Sequence, residues 1–176
     1  MKQFLEEHKT LFQFLKFYVI SLLVTVLQYL LLTFLPGFFY ANTNWAQVPF
    51  QFGHIALGFV DTYVFNYPVA DGGLAYFAAF AISLFIGQCV NFPIQRNLVF
   101  KSKGNIVFQI GWYIIAFCAI TVVCSFLAGI YVPLLKKYFA EAVYNIAITV
   151  INGGVSMVIY FPVYKIIFPE GKPEEA

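Results

Sequence analysis

Four residues near the middle of the chain carry its most specific chemistry: Asn91, Pro93, Gln95 and Arg96. Proline has no N–H to donate, so Pro93 should loosen a helix there. That leaves carbonyls near Cys89, and the side chains of Asn91 and Gln95, in need of partners. Arg96 follows within one turn, with Lys101 and Lys103 just beyond. Guanidinium is the side chain best suited to a bidentate grip on phosphate. Lys165 also follows a Phe-Pro pair, Phe161-Pro162, at the matching distance. Arg96, Lys101 and Lys165 are therefore candidate phosphate ligands, forming a basic rim. Asn91, Gln95, Gln88, Gln28 and Asn152 are candidates for a polar groove inside it. A phosphate on a long apolar tail is the ligand such a site suits. The plainer alternative is a belt of snorkelling cations at a membrane face, above amides that glue helices together.

Other chemistry is sparse. No Asp, Glu, Lys or Arg lies centrally in any apolar run, so the costly buried charge that marks many transporters is missing. That ranks a small multidrug-type exporter low and removes the acid/base pairs an enzyme uses. There is no Ser/His/Asp constellation, P-loop or HExxH motif, so we expect no catalytic residue and no cofactor. Cys89, Cys118 and Cys124 lie in apolar runs without CxxC or Cys/His spacing, and read as buried small apolar residues rather than a disulfide framework or a metal site. Neutral polar residues do recur at helical spacing: Ser21, Thr25 and Gln28; Asn145, Thr149, Asn152 and Ser156; and Gln109 with Thr121 and Ser125. Ala75, Ala79, Ser83 and Gly87 repeat every four residues, a small-residue row that would suit a partner interface or a homodimer seam.

The elements that position these residues follow from composition. Of 176 residues, 61% are apolar and 10% charged, against roughly 25% charged in soluble domains. With a mean hydropathy of +0.81, a soluble domain and a disordered chain are both excluded. The chain reads as a single multi-pass domain of the cell membrane, spanning 1–176. Four stretches meet the roughly 20-residue requirement for a span: about 17–39, 74–94, 106–132 (with Pro133 as a stop) and 142–164. The fold class expected is all-α: four helices in two tandem hairpins. Lys2, Lys9, Lys16, Arg96, Lys101, Lys103, Lys165 and Lys172 fall on one side and only Lys136 and Lys137 on the other. The positive-inside rule then puts both termini in the cytoplasm. The net charge of +2 is too small to argue for nucleic acid. The extracytoplasmic loop 40–73 is rich in aromatics (Trp45, Phe50, Phe52, Phe59, Phe65 and the tyrosines 63 and 67) and has no Lys or Arg. Its residues 55–70 are too short to span and suggest an interfacial or re-entrant segment, with a plain packed loop as the alternative.

The two halves resemble each other weakly. VNFPIQRNLVF (90–100) aligns with IYFPVYKIIFP (159–169), matching Phe92 to Phe161, Pro93 to Pro162 and Arg96 to Lys165. FYVI (17–20) falls loosely over WYII (112–115). Parallel repeats of this kind place transporter sites at the repeat interface.

The run Asn91-Phe92-Pro93-Ile94-Gln95-Arg96-Asn97-Leu98-Val99-Phe100 resembles the N-F-x-x-x-R-x-x-x-F signature of GtrA-like membrane proteins. The opening Lys16-Phe17 and the small four-span plan are also similar to that family. The chain departs from it at Pro93, Gln95 and Leu98, and the second half has Tyr160 and Lys165 where a fuller copy carries Asn and Arg. The resemblance implies a flippase that moves a polyprenyl-phosphate-linked sugar across the cytoplasmic membrane, for glycosylation of surface polysaccharides such as O-antigen, teichoic acid or arabinogalactan. The other reading is a non-transporting membrane scaffold that partners a glycosyltransferase. In the flippase reading the aromatic outer loop would stack on sugar at the exit.

Overall fold

A computed structural model describes residues 8–57, 60–138 and 141–169. Lys2, Phe59 and Lys172 lie outside these, as do the side chains of Lys136, Lys137, Asn145 and Thr149. The elements run α1 (Lys9–Asn42), β1 (Phe50–Leu57), β2 (Val60–Tyr67), α2 (Gly73–Ile94), a π-helical turn (Gln95–Val99), α3 (Ile106–Tyr138) and α4 (Glu141–Ile167). Three helical stretches, Lys9–Asn42, Gly73–Val99 and Ile106–Val132, are long and apolar enough to cross a membrane, as a multi-pass membrane protein requires. A shorter apolar stretch covers Ile151–Ile167. Pro133 does not end α3, which continues to Tyr138.

The helices pair as two hairpins, α1 along α2 and α3 along α4. The start of α1, the loop after α2 and the end of α4 share one end: the Lys165 Nζ donates to Thr10 Oγ1 at 3.3 Å, and the Ser102 hydroxyl to the Pro169 carbonyl at 2.8 Å. We call this the basic end. The main cluster of buried apolar side chains sits here rather than midway along the helices. It joins Phe17 of α1, Val99 and Phe100 after α2, Tyr113 of α3, and Tyr164 and Phe168 of α4.

The opposite end corrects the all-α expectation. Within the 40–73 loop, Phe50–Leu57 and Val60–Tyr67 pair as an antiparallel β-hairpin, with Phe50 opposite Tyr67, Phe52 opposite Phe65 and His54 opposite Tyr63. Side chains alternate across a strand, so these paired rings share one face. That face packs on the first turns of α2, where the Phe50 and Phe77 rings stack at 3.9 Å and Tyr67 lies 5.6 Å from Phe77. The aromatics at every second position are therefore a strand signal. Strand β2 also lies against α3.

Along α2 every fourth residue is buried: Ala75, Ala79, Ser83, Gly87 and Asn91, continuing to Gln95 and Val99 in the π turn. A four-residue spacing on a 3.6-residue helix turns by about 40° per step, so one stripe can serve two neighbours in succession. Its small-residue half meets α1 within the same chain, where the Gln28 amide lies over Gly87. The row suggested as a dimer seam is thus filled internally, because small side chains let α1 and α2 approach closely. A Cβ at Gly87 would press on the flexible end of Gln28. Gly87→Ala is expected to destabilise the protein in detergent by about 1 kcal/mol, and Gln28→Ala to recover most of that loss; thermal unfolding of the single and double variants checks this.

Burial also sharpens the internal repeat. In α1 and α3 the buried pairs are Gln13 with Gln109, Phe17 with Tyr113 and Val24 with Ile120. The alignment of 17–20 over 112–115 is therefore one residue out: Phe17 is 2% exposed and Trp112 49%. The register between α2 and α4 stands on the same test, since Gln95 and Tyr164 are buried, as are Val99 and Phe168. Two of the three cysteines depart from the expected burial. Cys89 and Cys118 are exposed on the bundle and only Cys124 is half-buried, because apolar side chains of a membrane helix can face outward as well as inward.

Candidate functional site

Arg96 projects from the π turn into the loop joining α2 to α3. Its Nε donates to Gln109 Oε1 at 2.7 Å, one Nη to Asn97 Oδ1 at 2.9 Å and the other Nη to the Gly104 carbonyl at 3.0 Å. Gln109 in turn donates through Nε2 to the Ser102 hydroxyl at 2.7 Å, whose own proton goes to the Pro169 carbonyl. This chain of hydrogen bonds ties the loop to the end of α4. Asn105 caps α3 by accepting from the Val107 and Phe108 N–H groups, which fixes Gln109 one turn into the helix. Among the described residues, the acceptors of Arg96 are all neutral. A guanidinium has five N–H donors. The described residues engage three of them, leaving one N–H on each Nη unengaged by these residues.

The amides assemble on a second chain. Gln95 Nε2 donates to Asn91 Oδ1 at 3.1 Å, Asn91 Nδ2 to the Tyr113 hydroxyl at 3.0 Å, and that hydroxyl to Gln88 Oε1 at 2.6 Å. Pro93 does not end α2. The helix passes through it and widens into the π turn, with the Phe100 N–H bonding to the Gln95 carbonyl. Gln95 is fully buried, and its Oε1 is the one buried side-chain atom among the described residues without a hydrogen-bond partner. Above the relay, the rings of Phe92, Tyr113, Tyr164 and Phe168 close the space between the two helix pairs.

The eight sequence candidates therefore do not form one groove. Gln88, Asn91 and Gln95 are joined through Tyr113. Arg96 is one residue further along but belongs to the loop chain. Lys165 reaches Thr10 instead, and Thr10 lies one turn before Gln13, the counterpart of Gln109 in the other half. Each half thus sends the cation after its Phe-Pro pair to the first turns of the opposite pair of helices. Lys101 is exposed with a left-handed φ of 48°. Gln28 belongs to the α1–α2 seam, and Asn152 is exposed on α4 and outside the relay. Tyr113 and Ser102 were not singled out by the sequence, although the four-residue spacing of Gln109 and Tyr113 puts both on one face of α3.

The opposite end holds an open cleft of about 720 Å³ between the end of α1, β2 and the start of α2. Tyr40, Asn66, Tyr67, Asp71, Gly72 and Tyr76 are among its lining residues. Among the described residues no group of His, Cys, Asp and Glu is placed to hold a metal ion. No family model, curated protein or solved structure matches the chain.

Proposed function

We propose that this protein carries a polyprenyl-phosphate-linked sugar across the cytoplasmic membrane, with its basic end in the cytoplasm and its β-hairpin outside. The observation that carries this reading is Arg96: a cation whose acceptors among the described residues are all neutral, and which these engage through only one N–H of each Nη. That is the donor arrangement a phosphate oxygen pair can use. Lys165, at the equivalent position of the second half, is the corresponding charge beside the start of α1, and Lys101 is a third on the exposed loop. Behind Arg96 the Gln95–Asn91–Tyr113–Gln88 relay extends polar groups into the bundle. The unpaired Gln95 oxygen accepts a hydroxyl once the aromatic cluster opens. Such partners lower the barrier to moving sugar hydroxyls through hydrocarbon, where each unpaired polar group costs several kcal/mol. Nothing in this arrangement couples to an energy source, so transport runs down the gradient set by consumption outside. The resemblance of Asn91–Phe100 to the GtrA-like signature supports the same substrate and role in surface polysaccharide glycosylation.

A static scaffold for a glycosyltransferase is favoured by one observation: the amides largely satisfy one another and the rings fill the gap between the helix pairs. Ligand binding separates the two. Wild-type protein in detergent should bind a short-chain polyprenyl monophosphate saturably, and Arg96→Gln should weaken binding about tenfold, in line with a charged hydrogen bond. The thermal midpoint of the variant, measured alongside, reports whether the loop is intact. Equal affinity in a folded Arg96→Gln protein contradicts the phosphate role.

A further inference from the structure

The cleft at the β-hairpin end differs in chemistry from the basic end, and its residues give the expected sugar stacking at the exit a definite place. Its polar lining residues are Tyr40, Tyr67, Tyr76, Asn66 and Asp71, with no Lys, Arg or His among them. A phosphate is excluded by the sign of Asp71. Flat rings beside a carboxylate and an amide suit a ligand with apolar C–H faces and hydroxyl edges. From these features we infer that the cleft is a binding site for a neutral sugar, taken by its hydroxyls at Asp71 and Asn66 and by its faces at Tyr40, Tyr67 and Tyr76.

Several details fit this assignment. The Asn66 Oδ1 accepts from Gln51 Nε2 at 2.9 Å, which orients the amide and leaves its Nδ2 as the donor. Burial, and then the neighbouring Tyr76, push the Tyr67 phenol up to about 12, so it stays a neutral donor and acceptor. Its ring is fixed from below by Phe77 and Phe80. Gly72, with φ +88°, turns the chain into α2 and lets the Tyr40 hydroxyl close over it, where any side chain would intrude. The rings of Tyr67 and Tyr76 lie 5.8 Å apart and tilted by 34°, one shared wall rather than two facing ones, and an organic cation is the competing occupant that the test must separate from a sugar.

The inference rests on the carrier reading for its purpose, since an outer sugar site receives the headgroup as it leaves the membrane. Its test is independent of that reading. The chain has two tryptophans, and Trp45 is next to Ala46 in the cleft wall. In a Trp112→Phe background, Trp45 fluorescence is titrated with methyl glycosides of hexoses and N-acetylhexosamines, up to tens of millimolar, with tetramethylammonium as the competing chemistry. A saturable change with at least one glycoside is expected. Asp71→Asn and Asn66→Ala, both at exposed side chains, should each weaken it about tenfold, with circular dichroism unchanged. Arg96→Gln should leave it unaltered, because a free glycoside has no phosphate. Absence of any saturable glycoside signal in the folded protein overturns the site, as does tighter binding of tetramethylammonium. Loss of glycoside binding with retained polyprenyl phosphate binding sinks this inference alone; the reverse pattern sinks the carrier reading alone.

Discussion

Tyr164→Ala is expected to destabilise the folded protein by about 3 kcal/mol, the packing cost of truncating a buried aromatic. Tyr164 is 1% exposed and touches rings from two other elements: it stacks on Tyr113 of α3 at 4.9 Å and meets Phe17 of α1 at 6.1 Å. It also packs against Tyr160 of α4 and Phe168 just after it. In a membrane the drive to bury apolar surface between helices is weak, so association depends on close packing. Among the described residues, the buried aromatic packing that joins the two helix pairs lies at the basic end, while β2 meets α3 at the other. One truncation should therefore lower the unfolding midpoint of the whole bundle. Tyr18→Ala, at a side chain 43% exposed on α1, should shift stability by no more than about 0.5 kcal/mol. Similar losses in the two variants would show that the aromatic cluster does not hold the pairs together.

The second large effect is expected at Asn91. It accepts from Gln95 and donates to Tyr113, so Asn91→Leu leaves a buried donor on Gln95 and breaks the link to Gln88. The cost is about 2 kcal/mol, from one to three for each group left unpaired moderated by the smaller values usual between membrane helices. Tyr113→Phe keeps the ring packing and removes only the hydroxyl, so it should cost less. Since both act on one chain of hydrogen bonds, the Asn91→Leu/Tyr113→Phe double variant should lose less than the sum of the singles. Additive losses would mean that the two side chains act separately.

The helices were legible because apolar length and the breaks between runs are local properties. All four expected spans lie within observed helices, which extend further at their ends because a helix does not stop where its hydrophobicity does. The β-hairpin was legible in principle. Phe50, Phe52 and His54, then Tyr63, Phe65 and Tyr67, sit at strand period, but the richness of aromatic residues draws attention to where the segment lies rather than to its backbone. The site divides along the same line. The neighbourhood of Asn91, Gln95 and Gln88 follows from spacing on one helix. The partner that unites them, Tyr113, and the acceptor that fixes Arg96, Gln109, come from α3 after an intervening loop. No spacing within α2 can specify them. The repeat shows a similar limit: residue identity aligned Phe17 with Trp112, and only burial moved the register to Tyr113.

The central claim is movement of a lipid-linked sugar, and transbilayer exchange tests it most directly. A short-chain polyprenyl-phosphate sugar is placed in the outer leaflet of vesicles holding purified protein, and its loss from that leaflet is followed with a membrane-impermeant reagent. Wild-type protein should speed the loss well above protein-free vesicles, with the rate sharply reduced by Arg96→Gln at equal incorporation. Folded wild-type protein that leaves the exchange at the protein-free rate contradicts the account and favours a scaffold.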